Sequence, residues 1–294
     1  MKISRGALAA ASAYVLWGFF PIYWKFLQRV PAMEILTHRI LWSLVVVVVL
    51  LTAQKQWQWL AASRERPVIL RSFVVTGVLL AINWLVYIWA NNNGHIVEAS
   101  LGYFITPLVN VVLGLLFLHE RMRPAQWLAI GIAAAGVLYL ILNAGGLLWI
   151  SFTLAFSFGI YGLLRKTAHL GSLPGLTVEM AVLCLPALAY ALFLQSSGQA
   201  AFAHGLPSTT LLLAFSGVIT AVPLLLFAYG ARQVPLTSLG VLQYIAPTMQ
   251  FLIGVLLYGE SFTPSRIIGF SLIWLALALY WRDSFRQRGR SATA

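Results

Sequence analysis

Long apolar runs separated by short polar gaps make up most of the chain. A helix needs about 20 mainly apolar residues to cross the hydrocarbon layer of a membrane. Ten runs approach or reach that length, at residues 6–24, 34–53, 72–90, 97–118, 124–143, 146–164, 175–194, 210–230, 236–258 and 265–281. The pattern therefore predicts ten transmembrane helices, because the strands of a membrane barrel would show alternating rather than continuous apolar positions.

Two of these runs resemble each other. Pro107 and Pro247 are 140 residues apart, as are Gly114 and Gly254. Five predicted helices separate equivalent points, and since five is odd, the second copy crosses the membrane in the opposite direction. We predict an all-α integral membrane fold of two inverted five-helix repeats, residues 1–145 and 146–294. Such repeats are common in secondary transporters, where the two halves move around a shared midplane site.

Composition supports a membrane protein. The chain is 61% hydrophobic and 9% charged, with a mean hydropathy of +0.87, whereas soluble domains carry roughly 25% charged residues. A net charge of +12 could indicate a nucleic-acid partner. The basic residues instead occupy short gaps between apolar runs, as in membrane proteins, so the predicted surroundings are a lipid bilayer and no nucleic acid.

The basic residues also predict the topology. If the N-terminus is cytoplasmic, only Lys25, Arg29, Arg39 and Arg266 of the 19 Lys and Arg residues fall outside the cytoplasmic segments. Positively charged loops favour the cytoplasmic side. We therefore predict ten spans with both termini in the cytoplasm, including a basic C-terminal tail.

Motifs for metals, cofactors or nucleotides are missing from the sequence. Cys184 is the single cysteine and the five histidines are scattered, so we predict neither an intrachain disulfide nor a metal site. There is no GxxxxGK[ST] motif, which argues against ATP as the energy source within this chain. No cofactor is expected.

Four segments resemble a known family: WGFFPIYWKFL, EILTHRILWS, NWLVYIWANNNGHIVEASLGYFITPLVN and LGVLQYIAPTMQFLIG. They are similar to the RarD-type permeases, in the EamA-like branch of the drug/metabolite transporter superfamily. The resemblance implies two EamA repeats in a ten-helix bundle in the bacterial inner membrane. It also implies export of small organic solutes, and the RarD name is linked to chloramphenicol.

Polar and aromatic side chains form stripes on several predicted helices. The proposed substrate-binding residues are Trp17, Asn83, Trp84, Tyr87, Tyr103, Asn110, Gln243, Tyr244 and Gln250. Buried polar groups in a membrane usually face the bundle interior or a water-filled path, so we expect a central cavity for a small amphipathic solute. The alternative is packing, because amides join membrane helices and aromatic residues anchor interfaces. Trp24 is interpreted as such an anchor.

Ionisable residues on the helices provide candidates for coupling or gating. Glu34, His38 and Arg39 form either a solvated, salt-bridged helix start or a gate at the outer mouth of the cavity. Glu179 occupies the equivalent position in the second repeat and is the preferred residue for coupling to protons. Its alternative role is an ion pair with Arg165 or Lys166. Glu120 is expected to cap the helix that follows it.

These observations predict a secondary transporter that exports a small drug or metabolite, chloramphenicol-like or amino-acid-like, by alternating access. A proton or substrate gradient would provide the energy. We expect no enzyme, because paired acids and HExxH motifs are missing, although a membrane enzyme acting on a lipid-like substrate is the first alternative. A passive channel is the second. Both a monomer and a homodimer fit the sequence.

Overall fold

The computed structural model describes residues 4–60, 67–93, 95–144, 147–259 and 264–292. These residues form helices and connecting loops, and no strand occurs among them. The helices used below are α1 (Arg5–Gly18), α2 (Phe20–Phe26), α3 (Ala32–Ala53), α4 (Pro67–Asn92), α5 (Ile96–Phe117), α6 (Pro124–Ala144), α7 (Leu148–Thr167), α8 (Ser172–Ser196), α9 (Pro207–Ala231), α10 (Leu236–Gln243), α11 (Ile245–Tyr258) and α12 (Pro264–Ala292).

The described helices confirm the membrane fold. Nine stretches within these ranges are long and apolar enough to cross a bilayer, with α1 and α2 forming one stretch and α10 and α11 another. The tenth predicted span corresponds to α12, which packs along α6. Large apolar side chains such as Leu142, Leu185 and Leu256 lie exposed on the outside of the bundle, where lipid would surround them.

Two predicted spans are broken in the structure, at Phe19 and at Tyr244. The sequence analysis predicted one span in each place, and a proline follows each break by two or three residues, although Pro107, Pro186 and Pro223 lie inside unbroken helices. A proline has no N–H to donate to the carbonyl four residues earlier. Pro21 therefore leaves the carbonyl of Trp17 without its helical donor, and Pro247 does the same to Gln243.

The contacts between the two halves follow a twofold pattern. The packing of α1 on α9 has its counterpart in α7 on α4, and that of α3 on α9 in α8 on α4. Similarly, α1 contacts α10 and α11, while α7 contacts α5. The remaining pairs, α3 with α8, α5 with α10 and α6 with α12, join equivalent helices. This is the arrangement expected for two repeats related by a pseudo-twofold axis.

The same symmetry holds for individual residues. A Cβ atom added at Gly18 would lie 2.7 Å from Cβ of Met249, and one added at Gly159 would lie 2.6 Å from Cγ1 of Val109. Both distances are shorter than carbon atoms tolerate, so each position requires glycine for close helix packing. The two glycines and their two contact residues occupy equivalent positions in the two repeats.

The inverted arrangement predicts the labelling of two cysteine variants. In a Cys184→Ala background, Arg121→Cys lies just beyond α5 and Tyr258→Cys ends the equivalent α11. An odd number of spans separates these positions, so a membrane-impermeant maleimide should reach them from opposite sides of the membrane. Comparing intact cells with inside-out vesicles measures this, and we expect position 121 to be cytoplasmic. Labelling of both cysteines from one side would contradict the inverted fold.

Candidate functional site

A cavity of about 220 Å³ lies at the centre of the bundle, and both repeats provide its walls. Its lining is mainly aromatic, with amide and hydroxyl groups and one charged side chain. The lining residues are Tyr14, Trp17, Phe20, Pro21, Trp24, Arg39, Asn83, Trp84, Tyr87, Tyr103, Phe158, Thr220, Leu224, Gln243, Ala246, Pro247 and Gln250. The cavity therefore combines apolar surfaces with a few polar groups, as small-molecule sites usually do.

Most of the residues proposed from the sequence for substrate binding line this cavity. They are Trp17, Asn83, Trp84, Tyr87, Tyr103, Gln243 and Gln250. Tyr87 and Tyr103 make an edge-to-face contact with ring centres 5.6 Å apart. The structure thus brings together the stripes of the first, third, fourth and ninth predicted spans.

Asn110 and Tyr244 do not line the cavity. Asn110 is fully buried, and its Nδ2 donates a hydrogen bond of 2.8 Å to Oε1 of Gln243. It therefore positions Gln243 from behind the cavity wall. Tyr244 is also buried and follows Gln243 directly, so its side chain points about 100° away around the helix axis. Direct substrate contact is thus not supported for either residue.

Gln250 and Asn83 combine packing with cavity lining, so the two interpretations of the polar stripes are not exclusive. Nε2 of Gln250 donates to the carbonyl of Trp17 at 3.0 Å, which is the carbonyl that Pro21 leaves without a helical donor. Nδ2 of Asn83 donates to the carbonyl of Leu154 and to Oγ of Ser157, both at 3.0 Å. Both amides join helices from different repeats.

Among the described residues that line the cavity, Arg39 is the one with a charged side chain. It is buried, with 9% of its surface exposed, and its Nε donates to Oγ1 of Thr220 at 3.0 Å. The guanidinium carbon lies 4.7 Å from the ring centre of Trp84 and 5.0 Å from that of Trp24. Trp24 is therefore part of the cavity wall and not the interfacial anchor expected from the sequence.

Glu34 and His38 lie outside the cavity. Glu34 is fully buried, and its Oε1 accepts hydrogen bonds from the backbone N–H groups of Ala201 at 2.7 Å and Phe202 at 3.0 Å. His38 stacks on the ring of Phe202, with centres 4.5 Å apart. The interpretation as a solvated helix start is wrong for Glu34, because its carboxylate is buried and holds the loop before α9.

Glu179 forms a buried ion pair. Its Oε1 lies 3.6 Å from Nη1 of Arg165, and the hydroxyl of Tyr161 donates to its Oε2 at 3.4 Å. Glu179 and Arg165 are both almost completely buried, and neither lines the cavity. This geometry matches the alternative in which Glu179 pairs with Arg165, while its role in coupling stays a prediction.

Aromatic rings separate the cavity from the end of the bundle at which α1 begins, here called the Arg5 end. Phe227 is fully buried, and its ring centre lies 5.3 Å from that of Phe158, 5.9 Å from Tyr161 and 6.1 Å from Tyr14. Because these four rings pack against each other, they form a dense floor beneath the cavity.

A set of polar contacts joins the two repeats below this floor. The carboxylate of Glu120 accepts hydrogen bonds from the N–H groups of Leu236 at 2.6 Å and Thr237 at 2.9 Å. Lys166 donates to the carbonyl of Val234 and lies 4.0 Å from Glu120. We call these five residues the polar lock. Glu120 thus caps α10 in the other repeat, and not α6 as predicted, because its side chain points across the interface.

Sequence reasoning missed several lining residues, including Phe158, Thr220 and Leu224. Phe158 stands 141 residues after Trp17, so the repeat itself contained the signal that would have found it. Thr220 and Leu224 belong to a mainly apolar span, in which Ser216 and Thr220, four residues apart on one helix face, were the only signal of a polar stripe. Within the part of the chain that the structure describes, no group of three His, Cys, Asp or Glu side chains could hold a metal ion.

Comparison with known proteins agrees with this architecture. The EamA-like transporter family matches the chain twice, over residues 4–142 and 144–282. The chain belongs to the EamA-like transporter family. A solved crystal structure also has this fold, with a TM-score of 0.71 and 20% identity, covering 95% of this chain and 98% of the other.

Relatives of high identity confirm the RarD-type resemblance. Protein RarD from Streptomyces exfoliatus is 46% identical, over 97% of this chain and 91% of the relative. Protein RarD from Escherichia coli K12 is 42% identical, over 98% and 97%. A chloramphenicol-sensitive protein RarD from Pseudomonas aeruginosa is 34% identical, over 97% of both chains. The chain is thus a RarD-type transporter of the drug/metabolite superfamily and a multi-pass protein of the bacterial inner membrane.

The buried ion pair allows a stability test. Glu179→Gln leaves the guanidinium of Arg165 buried without its carboxylate, which is expected to cost about 3–5 kcal/mol. We expect a clearly lower melting temperature in detergent, and partial recovery in the double variant Glu179→Gln/Arg165→Gln. Asp283→Asn is the control, because its partner Arg123 is partly exposed and such pairs contribute at most about 1 kcal/mol.

Transport measurements on Glu179→Gln distinguish a structural role of Glu179 from a role in coupling. A structural pair predicts that gradient-driven flux and substrate exchange fall together, in proportion to the folded protein. Loss of gradient-driven flux alone, with exchange and stability retained, would contradict a purely structural role and support coupling through Glu179.

Proposed function

We propose that the central cavity binds a small amphipathic organic solute and that the protein exports it by alternating access. The observation that supports this most directly is the origin of the cavity walls. They come from α1, α2, α3, α4 and α5 of the first repeat and from α7, α9, α10 and α11 of the second. Movement of one repeat against the other would therefore change which end of the bundle reaches the cavity.

One end of the cavity is blocked in a way that fits this mechanism. The aromatic floor and the polar lock separate it from the Arg5 end. In a secondary transporter, one such barrier closes while the opposite one opens. We therefore propose that the described conformation is closed at the Arg5 end, and that release of the polar lock accompanies the transition to the other state.

The proposed orientation follows from charge. Basic residues concentrate at the Arg5 end, including Lys166, Arg165 and Arg232, and such residues favour the cytoplasm. The closed end would then be the cytoplasmic one, with both termini on that side. Outward transport is the direction implied by resemblance to RarD-type permeases, and a proton or solute gradient would drive it.

Flux measurements in proteoliposomes test the proposed transport. The purified protein should carry labelled small aromatic solutes with a rate that saturates and that increases when unlabelled solute is present on the opposite side. Gln243→Ala should weaken apparent affinity about tenfold, because it removes a polar group from the cavity wall. Asn143→Ala is the matched control, since this amide is exposed and bonds to the carbonyl of Tyr139.

Other outcomes of that measurement favour the alternative functions. Flux that rises linearly with concentration and ignores solute on the opposite side would indicate a channel. Chemical turnover of the solute in detergent, without a gradient, would indicate an enzyme. Either result would refute alternating access.

Hydrogen exchange tests the polar lock. Glu120→Ala removes the carboxylate that accepts from two backbone N–H groups of α10, and losing such bonds costs about 1–3 kcal/mol. The amides of Leu236–Gln243 should then exchange about tenfold faster or more. Glu98→Ala is the control, because Glu98 accepts from the N–H of Leu147 at the opposite end of the bundle. Unchanged exchange in α10 would show that the lock does not hold this end closed.

A further inference from the structure

The charge of the cavity wall narrows the class of solute, provided that the proposed function holds. We infer that the transported solute is a small monocarboxylate with an aromatic or aliphatic body, and that its carboxylate binds at Arg39. The inference depends on the position of Arg39, on the partners of the acidic residues, and on the polar and apolar groups around the cavity.

Arg39 has no acidic partner among the residues that the structure describes. The five described carboxylates are all engaged elsewhere. Glu34 accepts from backbone N–H groups beside His38, Glu98 lies near His95, Glu120 belongs to the polar lock, Glu179 pairs with Arg165, and Asp283 pairs with Arg123. The guanidinium of Arg39 therefore borders the cavity as a cation, and no carboxylate oxygen of the described residues lies within 4.0 Å of its nitrogen atoms.

A buried guanidinium in this situation favours an anionic ligand. Removing a charge from water is costly, and the cost remains unless a counter-charge or several hydrogen bonds offset it. The rings of Trp24 and Trp84 and the hydroxyl of Thr220 offset part of it. The planar guanidinium has further N–H donors in a geometry that matches a carboxylate. A carboxylate entering the cavity would complete this set of interactions.

The other polar groups of the wall also suit an anion. Oε1 of Gln243 accepts from Nδ2 of Asn110, which orients the amide so that its remaining polar group, Nε2, is a donor. The hydroxyl of Tyr103 can donate as well, and no carboxylate lines the cavity among the described residues. An ammonium group would meet the like charge of Arg39 without a carboxylate to pair with.

The apolar part of the wall defines the rest of the solute. Trp17, Phe20 and Phe158 present aromatic surfaces, and Leu224 and Pro247 add aliphatic ones. These groups favour a hydrophobic body, and a volume of about 220 Å³ restricts its size. A single cation in the wall matches a single negative charge.

Four compounds of one skeleton test the inference on the purified full-length protein. They are 3-phenylpropanoate, 3-phenylpropan-1-ol, phenylalanine and 3-phenylpropylamine, which are anionic, neutral, zwitterionic and cationic at neutral pH. Quenching of tryptophan fluorescence and calorimetry measure their affinities, since three tryptophans line the cavity. We expect 3-phenylpropanoate to bind at least tenfold more tightly than the alcohol or phenylalanine, and the amine most weakly.

Substitutions of Arg39 test whether that residue provides the preference. Arg39→Gln should weaken binding of 3-phenylpropanoate at least tenfold and leave the alcohol nearly unchanged, whereas Arg39→Lys should retain part of the preference. The melting temperature of Arg39→Gln should not fall, because the variant removes an unpaired buried charge. Arg29→Gln, an exposed arginine at the same end of the bundle, should change none of these values.

The possible results distinguish the inference from the proposed function. Equal binding of the acid and the alcohol, preference for the amine or phenylalanine, or an undiminished preference in Arg39→Gln would overturn the inference. If Arg39→Gln does not fold, the ranking of the four compounds on the unchanged protein decides. Saturable flux of the alcohol or amine without preference for the acid would overturn the inference alone. Arg39-dependent binding of the acid without flux would sustain the carboxylate site at Arg39 and refute transport.

Discussion

Inside a bilayer every backbone carbonyl needs a donor, and a proline within a helix leaves one carbonyl without its helical donor. At Pro21 in the first span and at Pro247 in the ninth, the helix breaks a few residues before the proline, whereas Pro107, at the position equivalent to Pro247, lies inside the unbroken α5. The amide of Gln250 satisfies the carbonyl that Pro21 releases. Irregular backbone is tolerated in a membrane protein where it borders a cavity, and both breaks lie at the central cavity of this bundle.

A buried charged group also needs a partner, and Arg39, which has no carboxylate partner among the described residues, indicates a function. Glu179 has Arg165, and Glu120 has Lys166 and two backbone N–H groups, so each burial is offset by neighbours from another helix. The contacts of Glu120 fasten one end of the two repeats together, whereas Glu179 and Arg165 join two helices of the second repeat. Arg39 has aromatic rings and a hydroxyl, with no carboxylate among the described residues, and it faces the cavity. The free-energy cost of burying a charge without a partner therefore explains both the contacts at the closed end and the proposed carboxylate site.

Much of the site could be predicted because the internal repeat and the helical period are both visible in the sequence. Trp17, Tyr103 and Gln243 were placed together by spacing alone, since polar groups on a spanning helix face the interior. Asn110 was misplaced because spacing does not show that Gln243 covers it. Arg39 was assigned to the outer mouth of the cavity, since no local pattern shows how deeply a helix start is buried. Thr220 was missed because its span is mainly apolar and a single serine one turn earlier, Ser216, is a weak signal.

The sequence by itself determined the class, the number of spans and the inverted repeat. These depend on run length, on the distribution of charge and on parity, which are properties of the chain in one dimension. Only the tertiary structure decided which side chain meets which across the two repeats. That choice includes Glu120 on α10, Gln250 on the carbonyl of Trp17, and Arg39 in the cavity. Each contact joins residues more than a hundred positions apart, where packing of whole helices, and not local periodicity, sets the distance.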